Sequence, residues 1–224
     1  MRTLVTSGLP AYHAAMTDLG ALYRAARVRT TALVTADGVD PDLDVPATPE
    51  WTVHDVVAHV VGVATDAATG NMEGAPGDEW TAAQVRRGRG TPIAELIAQW
   101  ETHAAMLEGV LSASDPDGGF GAAVLDVHSH EADLRTALGL PLEFDDEFLS
   151  FAGGWLRPRL AANFAEAGLP SVELVCDDLD LFRGMFGRRT ADEVRALGWS
   201  ADAEPYLDVF FVFGRAAESL QERV

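Results

Sequence analysis

Asp126 and His130 stand four residues apart in a stretch of helical periodicity, and His59 lies beside the apolar stripe of an earlier helix. Positions i and i+4 share one face of an α-helix, so Asp126 and His130 can address a common centre. With His59 contributed by a neighbouring helix, two imidazoles and one carboxylate would hold a divalent ion and leave coordination positions open. Open positions belong to catalytic rather than structural sites, which makes a metalloenzyme the leading reading. Asp133, three residues beyond His130, suits a carboxylate that orients the imidazole from behind.

Four other histidines compete, since a lone helical histidine is more often structural than ligating. His13 is near the chain start, His54 falls in the first turn of its helix where exposure is expected, and His103 is roughly opposite a buried stripe. His128 is the strongest substitute, although its i+2 spacing from Asp126 points it away from both proposed ligands. Asp133 and His128 are therefore the candidate catalytic helpers. Arg86 and Arg87, with Arg89, could receive an anionic cofactor or substrate; a solvated charge run is the competing reading, as it is for Arg188 and Arg189. Trp80, Trp100 and Trp155 read as core or groove walls. No dinucleotide fingerprint, phosphate loop or nucleophile elbow occurs.

The elements that must position these residues are mostly helical. Apolar spacing predicts a first helix over Tyr12–Val34. Thr52 with Asp55 forms an acidic capping box for a second, preceded by Trp51 as a hydrophobic staple and ended by Gly70-Asn71. Residues 71–90 read as a long loop with one short helical turn. Thr91-Pro92 opens a third helix, Thr as N-cap. A fourth runs from about Phe120 to Leu138 and a fifth from about Asp145 to Ala167, each closed by Gly-Leu-Pro. Four long amphipathic helices predict a bundle with the fifth packed against it. Beyond Pro170 the expectation is one strand, Val172–Val175, then short helices near Leu179–Phe186, Thr190–Glu193 and Tyr206–Leu220. The domain reading is thus 1–170, a bundle carrying the metal site, and 171–224, a small appendage packed on it.

Composition narrows the partners. The 224 residues carry a formal charge of −19, and all 16 basic residues are arginine. Such an excess of negative charge repels phosphate backbones and anionic lipid, which disfavours nucleic acid and membranes as partners. Cys176 is the only cysteine, so neither an intrachain disulfide nor a thiolate zinc cluster can form. No signal-peptide pattern follows Met1, and no apolar run is long enough for a bilayer, so a cytoplasmic location is expected.

The segment Pro49-Glu50-Trp51-Thr52-Val53-His54-Asp55 through His59-Val60-Val61-Gly62 resembles the "P-x-W-T-V-x-D-x-x-x-H-x-x-G" stretch of the mycothiol-dependent maleylpyruvate isomerase-like proteins. Asp126 to Arg135 is similar to that family's second motif, and Phe182 to Thr190 with Tyr206-Leu207-Asp208 to its C-terminal region. The resemblance implies a DinB-like up-down-down-up four-helix bundle with a divalent metal, usually zinc, with nickel, iron or manganese as alternatives. It implies that His59, Asp126 and His130 are the ligands, aspartate standing where the family pattern has glutamate. Relatives often carry a covering α/β domain with several strands between the fifth helix and the Gly-Arg-Arg run; here only Ser171–Asp178 fill that interval, so the cover is abbreviated. The chemistry implied is activation of a soluble thiol, mycothiol in the family, for transfer to or cis–trans isomerisation of an electrophilic small molecule. A metal-dependent amide or ester hydrolase and a non-catalytic DinB-like binding protein are the rival readings, and a homodimer is a fold-level expectation.

Overall fold

A computed structural model describes residues 17–223. The long helices are α1 (Leu19–Val34), α2 (Val53–Thr69), α4 (Ile93–Ser112), α5 (Gly121–Ala137) and α6 (Asp146–Glu166), with α3 (Asp78–Gly88) between the second and fourth. Helix α1 packs against α4 and α5, and α2 against α3, α4 and α5, giving a mainly α, DinB-like bundle of α1, α2, α4 and α5. Residues 12–16 of the expected first helix lie outside the described residues. From Asp18 onward the helix is present, Asp18 accepting the Ala21 N–H as N-cap.

The second helix begins as its sequence dictates. Thr52 accepts the Asp55 N–H, Asp55 accepts the Thr52 N–H, and Gly70 closes the helix in the left-handed region. The third begins one residue later than expected, with Pro92 rather than Thr91 at the N-cap position. Helix α5 is the buried axis of the bundle: every residue from Val127 to Arg135 is buried, polar ones included. Trp100, fully buried on α4, donates its indole N–H to Tyr23 Oη at 2.9 Å and ties α4 to α1.

Two expectations fail locally. Residues 78–88 form an eleven-residue helix rather than a loop with one turn. Only Gln84, Val85 and Gly88 of it are buried, so its apolar stripe is too narrow to announce itself. Acidic Asp78 and Glu79 at its start and Arg86 and Arg87 at its end complement the helix dipole.

The expected helix over Tyr206–Leu220 reduces to a 3-10 turn, Glu204–Tyr206, and one α turn, α9 (Leu207–Phe210). Phe211 is already extended and Gly214 takes φ 80°, while Glu222 farther along the tail is drawn into ion pairs with Arg183 and Arg189.

Between them the chain forms β1 (Leu174–Val175), α7 (Asp178–Met185), α8 (Ala191–Arg195) and β2 (Gly198–Trp199). The strands pair antiparallel, Leu174 opposite Trp199 and Val175 opposite Gly198. The strand expected over Val172–Val175 is thus its last two residues. Helix α6 rests on α7 and α9, and the apolar core runs without a break from Leu22 and Val57 through Phe148 and Phe182 to Phe210. Among the described residues no helix is long and apolar enough to cross a membrane.

Candidate metal centre

His59 on α2 and Asp126 and His130 on α5 converge. One donor atom from each lies within 4.8 Å of the others. His59 Nε2 is 3.7 Å from Asp126 Oδ2, and His130 Nε2 is 3.6 Å from Asp126 Oδ1. The imidazole centroids are 4.9 Å apart and nearly perpendicular. Both rings are sunk in the bundle, while the Asp126 side chain keeps 33% of its surface open. Burial opposes ionisation of Asp126, but the two histidines and Arg188 outweigh it and hold its carboxyl below the usual range. Burial lowers the His130 pKa despite nearby Asp133 and Asp126.

The tautomers follow from what lies behind each ring. His59 Nδ1 is 2.8 Å from Gln84 Oε1, while Gln84 Nε2 donates to Asp66 Oδ2 at 3.0 Å. A carboxylate can only accept, so the amide of Gln84 is fixed and its oxygen must take the Nδ1 proton of His59. His130 Nδ1 lies 3.2 Å from Asp133 Oδ2, off the line of a well-aligned hydrogen bond yet beside an acceptor only. Each ring thereby turns Nε2 toward Asp126, the nitrogen with which it could ligate a metal. Two imidazoles and a carboxylate fit a divalent ion such as zinc, nickel, iron or manganese.

Arginine stands behind both supports, through Asp66 for Gln84 and directly for Asp133. Asp66, buried, receives Arg87 Nη2 at 2.7 Å on both oxygens and Asn71 Nδ2 at 2.9 Å. Asp133, fully buried, receives Arg183 Nη2 at 2.8 Å, Arg188 Nε at 3.1 Å and a further contact from Arg188 Nη2. Burial would raise the Asp133 pKa, but the two guanidiniums and His130 hold it well below the ordinary value.

Of the residues singled out from sequence, Asp133 therefore stands behind His130, and His128 does not join the triad. Its ring stacks on Phe148 with centroids 3.7 Å apart, and Nδ1 donates to Val124 O at 2.8 Å. Arg86 pairs with Glu79 on the surface, and Arg87 reaches the site only through Asp66 and Gln84. Arg188 and Arg189 are not a solvated run: Arg188 is buried on Asp133, and Arg189 spans Asp180 and Glu222. His54, expected to be exposed, places Nε2 2.8 Å from Thr91 O.

Gln84, Asp66 and Arg183 escape sequence reading because their partners are 18 to 50 residues away in the chain. Trp51 is not only a helix staple. Its indole lies 5.2 Å from the His59 ring and 6.0 Å from that of His130, walling one side of the donors.

Close helix contact makes this arrangement sensitive to one glycine. A Cβ at Gly62 would meet Gln84 Cβ at 2.6 Å and Cγ at 2.7 Å, so α3 cannot stay where it is. Gly62→Ala is expected to cost about 1–3 kcal/mol of stability and to free His59 Nδ1 from Gln84. Imidazole nitrogen NMR would read the second effect as loss of the fixed Nδ1–H tautomer.

A family model, that of the mycothiol maleylpyruvate isomerase N-terminal domain, matches residues 23–138, slightly more than half of the 224-residue chain. The matched stretch contains all three donors and both orienting residues. Among curated proteins and among solved structures nothing matches.

Proposed function

Because the chain belongs to the mycothiol maleylpyruvate isomerase N-terminal domain family, we propose that it is a divalent-metal enzyme, zinc the foremost candidate, using a small thiol such as mycothiol. The reaction is S-transfer to, or thiol-assisted cis–trans isomerisation of, an electrophilic small molecule. The observation that carries the reading is the convergence of one donor atom each from His59, Asp126 and His130 within 4.8 Å, with Gln84 and Asp133 beside the two Nδ1 atoms. A divalent ion held there supplies a lowered pKa for a bound thiol and stabilisation of developing negative charge.

The chain's own residues bind and orient. His59, Asp126 and His130 are the ligands, Gln84 and Asp133 hold the imidazole protons at Nδ1, and Trp51 excludes water from one side of the donors. Cys176 is a poor source of sulfur nucleophile, since burial pushes its thiol pKa up. A soluble thiol fits that gap, and a reducing cytoplasmic setting fits the thiol.

Elemental analysis of the native protein beside His59→Ala and His130→Ala tests the assignment. The native protein is expected to hold about one divalent ion per chain, and each variant to lose affinity by at least tenfold. Equal metal in all three sinks the ligand set. Turnover of electrophiles that persists without added thiol would move the reading to hydrolysis.

A further inference from the structure

The tail that follows α9 does not trail into solvent. Its backbone is laced to distant parts of the chain: Val212 N–H to Met185 O at 2.9 Å, Ala216 N–H to Arg189 O at 3.1 Å, and Leu142 N–H to Arg223 O at 2.7 Å. Between the last two anchors the Glu222 carboxylate is carried inward until 4% of its side chain is accessible. There it accepts Arg183 Nε at 2.9 Å and Arg189 Nη1 at 2.6 Å.

Arg183 is the bridge. It is wholly inaccessible, with Glu222 on Nε and Nη2 and Asp133 on Nη2 at 2.8 Å. Asp133 in turn lies 3.2 Å from His130 Nδ1. One chain of contacts thus joins residue 222 to a proposed ligand 92 positions earlier.

We infer that Glu222 is a positioning residue for the metal centre, and that the C-terminal tail and the metal bind cooperatively through Arg183 and Asp133. The inference rests on the metal reading given above. With Glu222 in place, the two carboxylates share Arg183, with Arg188 on Asp133 and Arg189 on Glu222, and Asp133 keeps negative charge with which to support His130. Without it, Arg183 has only Asp133 as a charged partner, Asp133 is a weaker acceptor for the imidazole, and the buried surroundings gain one positive charge beside the place a dication must occupy. Coupling of this kind is reciprocal: whatever affinity the seated tail adds for metal, metal must return as tighter seating of the tail.

The test measures zinc dissociation constants by competition with a chromophoric chelator, for the native chain and Glu222→Gln, well below the thermal midpoint of either. Hydrogen exchange at Leu142 and Ala216 is followed in the native chain with and without zinc. Glu222→Gln is expected to bind zinc about 3- to 10-fold more weakly, and zinc to slow both amides by a similar factor. A purely structural tail would lower the midpoint and leave the zinc constant of the folded protein unchanged. Unchanged zinc affinity in the variant, or amide exchange indifferent to zinc, overturns the coupling while leaving the ligand assignment intact. A native chain that takes up no zinc overturns both. Should the variant not fold, exchange in the native chain decides alone.

Discussion

Replacing Arg183 with methionine is expected to destabilise the fold by about 3–5 kcal/mol. The guanidinium is wholly inaccessible and reaches Asp133, Glu222 and the Ser129 carbonyl at once. Methionine fills part of the volume but leaves two buried carboxylates with one arginine each, Arg188 for Asp133 and Arg189 for Glu222. The loss of one partner from a buried charge network costs far more than the network contributes over an apolar replacement of all its members, because the remaining charges stay desolvated. Urea unfolding would show a lower midpoint at an unchanged slope. A change below about 1 kcal/mol would mean that these carboxylates are hydrated or protonated in solution.

Acid should expose a second large effect, at His128. Its ring is fully buried against Phe148, and Nε2 has no hydrogen-bond partner among the described residues. Burial pushes its pKa down to about 3, overcoming the Val124 carbonyl, with Arg29 adding to the shift. The unfolded chain takes up a proton at this residue near pH 6.5, whereas the folded chain does so only near 3. Stability is therefore complete above pH 6.5 and falls as pH drops, by about 1.4 kcal/mol per unit for this one group. Across the whole interval the loss is on the order of 4–5 kcal/mol. His128→Phe removes the uptake and can keep the stack. Between pH 6.5 and 5, where carboxylates remain ionised, its urea midpoint should fall more slowly than that of the native chain; parallel lines would contradict a neutral buried His128. His130, also lowered by burial, contributes to both proteins alike and cancels in the comparison.

The bundle was legible because its signals are local. Thr52 and Asp55 cap α2 within four residues, and Gly70, Gly139 and Gly168 mark helix ends by taking positive φ. The donor triad was legible for a mixed reason: the Asp126–His130 spacing is local, whereas His59 came from its motif and from its place beside an apolar stripe. What stayed hidden depends on partners distant in the chain. Helix α3 is pinned by glycine contacts, Gly62 against Gln84 and Gly88 against Ala58, and not by a stripe of its own. His128 and His130 share a helix, yet one is turned to Phe148 and the other to the donors, which the i+2 spacing implied but the count of histidines did not. The arginines near residue 188 looked solvated because sequence shows their charge and not the buried Asp133 and Glu222 that neutralise it.

Asp126 alone of the three donors retains a sizeable opening to solvent. Visitors thus meet a carboxylate at the doorway of a protein whose formal charge is −19. Such a threshold favours a dication over an anion. On the proposed metal reading, loading would be sequential, the dication first and an anionic guest only after it.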